Sequence, residues 1–378
     1  MSIASPPKYQ RIKRRLIADI EAGVLPPGTR IPSETKLMQQ HGVARMTVVR
    51  SLNDMVAEGY LVRMRGKGTF VRVHQPQEDH RSLAAFALVV PEVRDGYYPS
   101  LIKSFGDASD ELNHQILTCN TNNEVEKQGN VILQLIDNHV AGVALLPATH
   151  GTPPIHHVRQ LQSNRIPVVQ LHRGLSGVSA PLLAMEYERI GQFAGRTLVA
   201  AGHRRVAYFA THLSSTSQDY ATGLSQVLRE VGSDLPDCLT SYGQRTGEYV
   251  SPEHEASIAA ALRRMLQLPA ALRPTAIFCS FDSEAELIYL TLEKFGLRIP
   301  SDISLVSVGA EWRHSAIARR LTCIAADEDF VGRTAVELLD EMASKRRPID
   351  DQLRIAIPLS LYPGETVSVG SSGDGSAA

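Results

Sequence analysis

The chain has 378 residues, of which 43% are hydrophobic and 21% are charged, a balance typical of globular proteins with more than one domain. Its longest apolar runs, such as Leu83–Pro91, are far shorter than the ~20 residues of a membrane span, and its four cysteines form no CxxC pair. These features exclude helical membrane proteins, disulfide scaffolds and zinc ribbons from the expected classes.

The net charge of −1 conceals an asymmetry along the chain. Residues 1–75 hold 13 Lys and Arg but only 5 Asp and Glu, so the rest of the chain is acidic. A basic module attached to an acidic body is typical of a DNA-binding domain on a separate carrier. Chance clustering of basic residues is the alternative at this point.

The first 72 residues predict three helices followed by a β-hairpin. Apolar residues recur at helical spacing in the first helix, at Tyr9, Ile12, Leu16 and Ile20. Ser33 is a favourable N-cap for a short second helix, with Glu34 in its first turn. The third helix runs from about Ala44 to Glu58, and two β-rich runs follow around residues 65–68. This order describes a winged helix-turn-helix.

The third helix is expected to enter the DNA major groove. Its inner face carries Val48, Leu52 and Met55, which would hold it to the domain. Four residues are then left free at the groove end: Arg45, Met46, Thr47 and Arg50. The wing adds Arg65, Gly66, Lys67 and Gly68, where glycine lets the backbone approach DNA and lysine supplies a cation.

The segment 7–71 resembles the winged-helix domain of the GntR regulators along its whole length. The shared motifs include "G-x-L-x-P-G-x-R-I-P-S-E", "GV-x-R-x-T-V" and "G-x-G-T-F-V". The resemblance implies DNA contacts at Arg45, Thr47, Gly66 and Gly68, together with Ser33 and Glu34 of the shared "PSE" motif. Val49, Thr35 and Ala44 depart from the usual residues, so the operator sequence is not predicted.

Residues 73–82 are polar and indicate a linker, after which strand-like runs alternate with helical ones. This alternation predicts doubly wound parallel sheets, and its length suggests two α/β lobes with a cleft between them. Residues 82–362 resemble the sensor domain of the LacI/GalR repressors, which is periplasmic binding protein-like. The motifs that carry the resemblance are "IPVV", "GHRRVAYF", "PTAIFCSFDSEA", "GLRIPSDISLVSVG" and "LTCIAADEDFVGRTAVELL".

The resemblance implies three chain crossings between the lobes. Lobe one is expected at about 82–185 and 327–344, and lobe two at 186–324 and 350–362. The low-complexity tail 363–378 is expected to be disordered.

The carboxyl ends of the strands are expected to face a ligand in the cleft. The candidate ligand-binding residues are Tyr97, Tyr98, His172, Arg173, Glu186, Tyr220, Phe281, Asp282, Glu311 and Trp312. Compared with the family's sugar-binding pattern, Tyr220 replaces an arginine, Phe281 an asparagine and His172 an aspartate. Aromatic faces with a few charged groups predict a small polar effector, a sugar or a sugar-like compound.

Enzymatic alternatives find little support in the sequence. No G-x-S-x-G elbow occurs, and none of the body's four lysines follows a recognisable strand end, as a Schiff-base enzyme would require. His156 and His157 are interpreted as surface histidines rather than metal ligands. No catalytic residue, metal or cofactor is expected, and a ligand-binding protein without a regulatory role stays the alternative.

The two resemblances together imply a transcriptional regulator, most simply a repressor released by its ligand. Its expected partners are double-stranded operator DNA, the effector and a second copy of the chain, paired as a homodimer through 82–362. No membrane partner is expected. No charged-then-apolar leader opens the chain, which is typical of a cytoplasmic protein.

Overall fold

A computed structural model describes residues 7–64, 67–72, 83–94, 96–149, 155–243, 252–310, 313 and 315–368. These residues form a small N-terminal domain and a larger body with two parallel sheets. The expected fold class, a winged helix-turn-helix joined to a two-lobed α/β body, is confirmed. The expected linker 73–82 lies outside the described residues. Of the helices formed by the described residues, none is long and apolar enough to cross a membrane.

The N-terminal domain consists of α1 (Lys8–Glu21), α2 (Glu34–His41), α3 (Arg45–Ala57), β1 (Leu61–Met64) and β2 (Gly68–Val71). Ser33 caps α2 by accepting a hydrogen bond from the Lys36 N–H at 3.3 Å. Gly42 ends α2 in the left-handed region, with φ 59°. The inner faces of the helices meet the hairpin in one core, which includes Ile12, Leu16, Leu37, Val48, Leu52 and Met55.

The body continues with helices and strands in alternation. In chain order they are β3 (Leu83–Val90), α4 (Tyr98–Glu111), β4 (Gln115–Asn120), α5 (Val125–Asp137), β5 (Val140–Leu145), α6 (Ile155–Ser163), β6 (Val168–His172), β7 (Leu182–Ala184), α7 (Tyr187–Ala200), β8 (Val206–Ala210), α8 (Ser215–Glu230), β9 (Thr240–Tyr242), α9 (Pro252–Leu266), β10 (Ala276–Cys279), α10 (Asp282–Lys294), β11 (Ser304–Ala310), β12 (Thr322–Ala326), α11 (Glu328–Ala343), β13 (Arg354–Ala356) and β14 (Leu359–Tyr362).

The two sheets have six strands each. The first has the order β13-β7-β6-β5-β3-β4 and is parallel throughout, and with α4, α5, α6 and α11 it makes the first lobe. The second has the order β14-β12-β11-β10-β8-β9, in which β14 alone runs antiparallel, and with α7 to α10 it makes the second lobe. Strands buried on both faces explain the continuous apolar runs of the sequence.

The last crossing between the lobes differs from the sequence-based expectation. The prediction placed 350–362 in the second lobe, but β13 pairs with β7 of the first sheet. The Leu182 N–H donates to the Leu353 carbonyl at 2.8 Å, and the Ile357 N–H donates to the Ala184 carbonyl at 2.9 Å. β13 thereby satisfies the free backbone groups of β7, which would otherwise be an edge strand. The chain crosses to the second lobe only at β14.

The expected disordered tail begins with ordered residues. Thr366 is buried, and its hydroxyl donates to the Leu305 carbonyl at 2.6 Å while accepting the Thr322 N–H at 2.8 Å. The prediction of disorder is therefore wrong for 363–368, because this segment completes hydrogen bonds of β11 and β12. Residues 369–378 lie outside the described residues.

Helices α7 and α8 pack with their backbones in close contact. A Cβ atom on Gly223 would lie 1.9 Å from the Glu188 carbonyl oxygen, and one on Gly191 would lie 2.1 Å from that of Tyr220. Only glycine allows this approach. The close crossing fixes the amino ends of both helices. Tyr187 and Ser214 lie at these ends and face the space between the lobes.

The N-terminal domain docks on α6 of the first lobe. The Tyr60 ring lies 4.5 Å from the His157 ring and 5.8 Å from the His156 ring, measured between centroids. Nearby, Arg159 Nη1 donates to the Glu21 carbonyl at 2.9 Å. Both histidines are buried, with 5% and 2% exposure. Their interpretation as surface residues is therefore wrong, because a domain about a hundred residues earlier in the chain covers them.

Candidate functional site

The N-terminal end of α3 presents an exposed polar surface. Arg45 is exposed, and its Nε lies 3.0 Å from Oε2 of Glu34 on α2. Met46 beside it is 75% exposed. Ala44 precedes the helix at the N-cap position and offers no side-chain cap. This end of the helix can therefore meet a DNA groove without rearranging the core behind it.

Arg50 makes a contact within the domain that the sequence did not predict. Its guanidinium stacks over the Tyr9 ring of α1, 4.1 Å from the centroid. The side chain is nevertheless exposed, so the predicted contact of Arg50 with DNA stays a prediction, and the cation–π contact shows only that it also links α1 to α3. Thr47 is half-buried in the first turn of α3.

The wing carries cations from two parts of the chain. Lys67 is exposed and Gly68 has φ 115°, a conformation that favours glycine. The side chain of Arg30 lies beside this glycine, where a Cβ atom would come within 2.8 Å of its Nε. Sequence analysis missed Arg30, although it belongs to the GntR-like "G-T-R-I-P" motif. Arg65 and Gly66 lie outside the described residues.

A cavity opens between the two lobes at the carboxyl ends of their strands. The first lobe contributes Pro91, Glu92, Tyr97, Tyr98, Asn122, Asn123, Thr149 and Arg173. The second lobe contributes Tyr187, Thr211, His212, Ser214, Thr216, Ser217, Tyr220, Ser280 and Phe281. Parallel strands end at one edge of a sheet, which is why these segments, distant in sequence, meet.

Aromatic side chains bring the lobes together over this cavity. The rings of Tyr97 and Phe281, one from each lobe, meet edge to face at 6.0 Å. Gly96 lies so close to Phe281 that a Cβ atom would be 2.4 Å from its Cζ. The Tyr187 and Tyr220 rings meet at 5.3 Å on the other wall. The lobes are therefore closed on each other around the cavity.

Arg173 is the main cation of the cavity wall. Its Nε donates to the Pro147 carbonyl at 2.7 Å, which fixes the guanidinium to the loop after β5. Its Nη1 donates to the Tyr187 hydroxyl at 3.4 Å, across the two lobes. Burial raises the pKa of the Tyr98 hydroxyl to about 12, although Arg173 works to lower it. The neighbouring tyrosines therefore keep their protons and can donate hydrogen bonds.

His172 does not line this cavity, but it borders an adjoining one that shares Arg173 and Tyr187. It is 1% exposed, and its ring packs against Tyr97 at 4.9 Å between centroids. Its Nε2 lies 3.7 Å from Oε2 of Glu328, at the start of α11. Burial raises the pKa of Glu328, and His172 opposes that shift. His172 also has φ 59°, rare for a residue other than glycine, and this strained position immediately precedes Arg173.

The structure brings five of the ten predicted ligand-binding residues to the cavity, namely Tyr97, Tyr98, Arg173, Tyr220 and Phe281. Glu186 points elsewhere, because its carboxylate pairs with Arg189 at 3.0 Å on the outer side of α7. Asp282 is buried beneath the cavity, where it pairs with Arg313 and accepts a hydrogen bond from Ser307. Burial raises the pKa of Asp282 to about 6, against the lowering effect of Arg313. Glu311 and Trp312 lie outside the described residues.

Sequence analysis missed most of the small polar residues of the cavity. Asn123 and Thr149 exchange two hydrogen bonds, at 2.8 and 2.9 Å, and join the loops that lead into α5 and α6. Ser214 and Ser217 cap α8 reciprocally at the opposite wall. Their signal in the sequence is only that each follows a predicted strand within a few residues.

Comparison with known proteins identifies a domain in each of two segments of the chain. Residues 8–71 match the model of the bacterial regulatory proteins of the gntR family, and residues 196–367 match that of the periplasmic binding protein-like domain. The chain combines a GntR-type DNA-binding domain with a periplasmic binding protein-like domain. The two predicted resemblances are confirmed, and the GntR-type domain coincides with α1 to β2.

Similar proteins match almost the whole chain. The arabinose metabolism transcriptional repressor of Geobacillus stearothermophilus is 27% identical over 342 residues, covering 90% of this chain and 92% of that protein. The repressor of the same name from Halalkalibacterium halodurans is 23% identical and covers 90% of each chain. Among solved structures, the complex of the transcriptional regulator CelR with cellobiose has a TM-score of 0.62 at 20% identity, covering 89% of this chain and all of that one.

Proposed function

We propose that this protein is a sequence-specific transcriptional repressor whose operator affinity is controlled by a small polar ligand bound between the lobes. The observation that carries the proposal is the presence, in one chain, of an exposed recognition helix and a polar cavity enclosed by two lobes. The relatives named as arabinose metabolism repressors support both the regulatory role and a sugar or sugar-like effector. We expect the protein to act in the cytoplasm, where its operator DNA lies.

The mechanism follows from closure of the lobes. A ligand shifts an equilibrium between two states only by binding one of them more tightly. Contacts such as that between Tyr97 and Phe281 exist only when the lobes are closed, so a ligand touching both walls favours the closed form. Closure moves the first lobe, on which the winged helix docks through Tyr60. The recognition helices then change their separation relative to the operator.

The repressor is proposed to act as a homodimer. A single winged helix buries too little surface for tight specific binding, and two-fold pairing matches a palindromic operator. We assign the pairing to the body, residues 83–368, and DNA reading to residues 7–72. Light scattering of the full chain at micromolar concentration should give twice the mass of one chain, and a monomer bound to a half-site would contradict the assignment.

The function is tested by gel shift with DNA from the promoters that flank the protein's own gene. We expect a specific complex that survives excess nonspecific DNA and dissociates when a ligand that raises the Tm of the protein is added. If none of the ligands that raise the Tm dissociates the complex, ligand control is rejected. Binding without any sequence preference would reject the repressor role itself.

A further inference from the structure

The cavity between the lobes is rich in hydrogen-bond donors and poor in anionic acceptors. Glu92 is the only carboxylate among the described residues that line it. Its Oε1 already accepts the N–H groups of Val93 at 2.7 Å and Arg94 at 3.1 Å. The other walls carry hydroxyl, amide and imidazole groups and the guanidinium of Arg173. A neutral sugar donates from every hydroxyl and is best served by carboxylate acceptors, of which the described lining residues supply only Glu92.

Arg173 has no counter-ion among the residues that the structure describes. No carboxylate lies within 4 Å of its guanidinium there, and Nη2 makes no hydrogen bond to those residues. By contrast, the buried Arg313 of the second lobe has an acidic partner, Asp282, at 3.7 Å. The half-buried guanidinium of Arg173 therefore presents a cation to the cavity that no described acid balances, and a bound anion can supply the missing charge.

The charges next to Arg173 cannot replace that partner. The buried acid Glu328 faces His172 at 3.7 Å, and Asp219, which lines an adjoining cavity together with Arg173, is exposed and forms no ion pair with it. Helices α4 and α8 both begin at the cavity and have no acidic residue in their first turns. The positive ends of their dipoles therefore add to the field of Arg173 instead of cancelling it.

We propose that the ligand carries a carboxylate that binds the free edge of the Arg173 guanidinium, so that the effector is a sugar acid and not a neutral sugar. This inference rests on the proposed function, since it names the chemical class of the ligand for the same cavity. A carboxylate fits better than a phosphate, because Arg173 is the only lysine or arginine among the described lining residues.

The test compares each sugar acid with its neutral counterpart on the full chain. Thermal shift and calorimetry use D-gluconate with D-glucose, D-galacturonate with D-galactose and L-arabinonate with L-arabinose, and D-glucose 6-phosphate tests the phosphate. We expect at least one sugar acid to bind, with an affinity that falls as salt is raised. Its neutral counterpart should bind about 10- to 100-fold more weakly.

Variants assign the effect to the guanidinium. Arg173→Gln should weaken sugar-acid binding by about 10- to 100-fold and should weaken binding of the neutral counterpart far less, so that the preference for the acid is lost. Arg196→Gln, which removes an exposed arginine of α7 away from the cavity, should change neither. If Arg173→Gln does not fold, the comparison of acids with neutral sugars in the unmodified protein decides alone.

Three results would overturn the proposal: a neutral sugar binding as tightly as its acid, tighter binding of the phosphate, or no response to any of the acids. None of these results contradicts the proposed function, which is tested separately. The gel shift without ligand decides operator binding, and a neutral sugar that binds and releases DNA would retain ligand control while rejecting the carboxylate.

Discussion

At the scale of single residues, Arg45 separates DNA recognition from folding. Its ion pair with Glu34 is exposed, and such pairs contribute little to stability. We expect Arg45→Ala to leave the Tm nearly unchanged but to cost about 1–3 kcal/mol of affinity at the specific operator. Footprinting on operator and scrambled DNA measures this.

Lys67→Ala is the matched control on the wing. Lys67 is exposed, so its loss should weaken binding to every sequence alike and reduce the salt dependence. Unchanged operator affinity of Arg45→Ala would show that the N-terminal end of α3 does not read bases.

Gly96 provides a second prediction at this scale, because it stands where the lobes touch. It has φ 59°, and a Cβ atom would lie 2.4 Å from Cζ of Phe281. Gly96→Ala should therefore hinder closure, weaken ligand binding and give a repressor that still binds its operator but responds poorly to ligand. Calorimetry with the ligand and a gel shift with and without it measure the two effects.

Gly232→Ala is the control for Gly96→Ala, because it introduces backbone strain at a positive φ without a steric contact. Gly232 has φ 72° but nothing within 4 Å of the added methyl group. Gly232→Ala should therefore lower the unfolding free energy only by the strain of alanine in the left-handed region, about 1 kcal/mol. Equal ligand affinity in the two variants would mean that the contact between Gly96 and Phe281 does not govern closure.

At the scale of elements, the crossing of α7 and α8 sets the geometry of the second lobe. Gly223→Ala would place a methyl group 1.9 Å from the Glu188 carbonyl oxygen, and neither backbone can yield without moving its helix. We expect a loss of about 1–3 kcal/mol in unfolding free energy, measured by urea denaturation. Ligand affinity should fall as well, because both helices begin at the cavity.

Thr222→Ala on the exposed side of α8 is the control for this crossing. It changes a neighbouring residue of the same helix without entering the interface, so its effect should stay within about 0.5 kcal/mol. If the two variants were equally stable, the helices would be free to separate.

At the scale of the whole molecule, the contact between the winged helix and the first lobe is predicted to depend on pH. Burial lowers the pKa of His156 to about 4 and that of His157 to about 3. Between pH 6.5 and these values the unfolded chain binds more protons than the native one, so the stabilisation is present above pH 6.5 and is lost as pH falls. Each histidine contributes on the order of 3 kcal/mol to this loss.

Other charges at the contact act in the opposite sense or hold it together. Burial raises the pKa of Glu21 and of Glu58, and a raised carboxyl pKa favours the native state as pH falls. Lys13 pairs with Glu58 at 2.6 Å and with Glu126 at 3.4 Å, which links α1 to the body. The contribution of the histidines is therefore the part of the pH dependence that disappears when both histidines are replaced.

Hydrogen exchange of α1 and α6 between pH 7 and 5 tests this prediction. Exchange at the contact should rise as pH falls in the unmodified protein, and the double variant His156→Phe/His157→Phe should flatten that dependence. The same pH dependence in both proteins would assign it to the carboxyl groups.

Local sequence signals determined the N-terminal domain. The apolar spacing of α1, the Ser33 cap and the left-handed Gly42 all act within a few residues, so helices and hairpin were predictable in order and type. The alternation of the body predicted its parallel sheets. The rule that ligands meet the carboxyl ends of strands also predicted Tyr97, Arg173 and Phe281 at the cavity.

The tertiary structure alone decided which neighbours these residues have. Glu186 turns outward to Arg189 although Tyr187 beside it faces the cavity, because successive residues at a helix start point in different directions. His156 and His157 are buried because a separate domain covers them. Among the described residues Arg173 has no ion-pair partner, since Glu92 accepts backbone N–H groups of its own loop and Glu328 faces His172. Pairing across such distances in the chain depends on packing of the whole molecule, which no local pattern encodes.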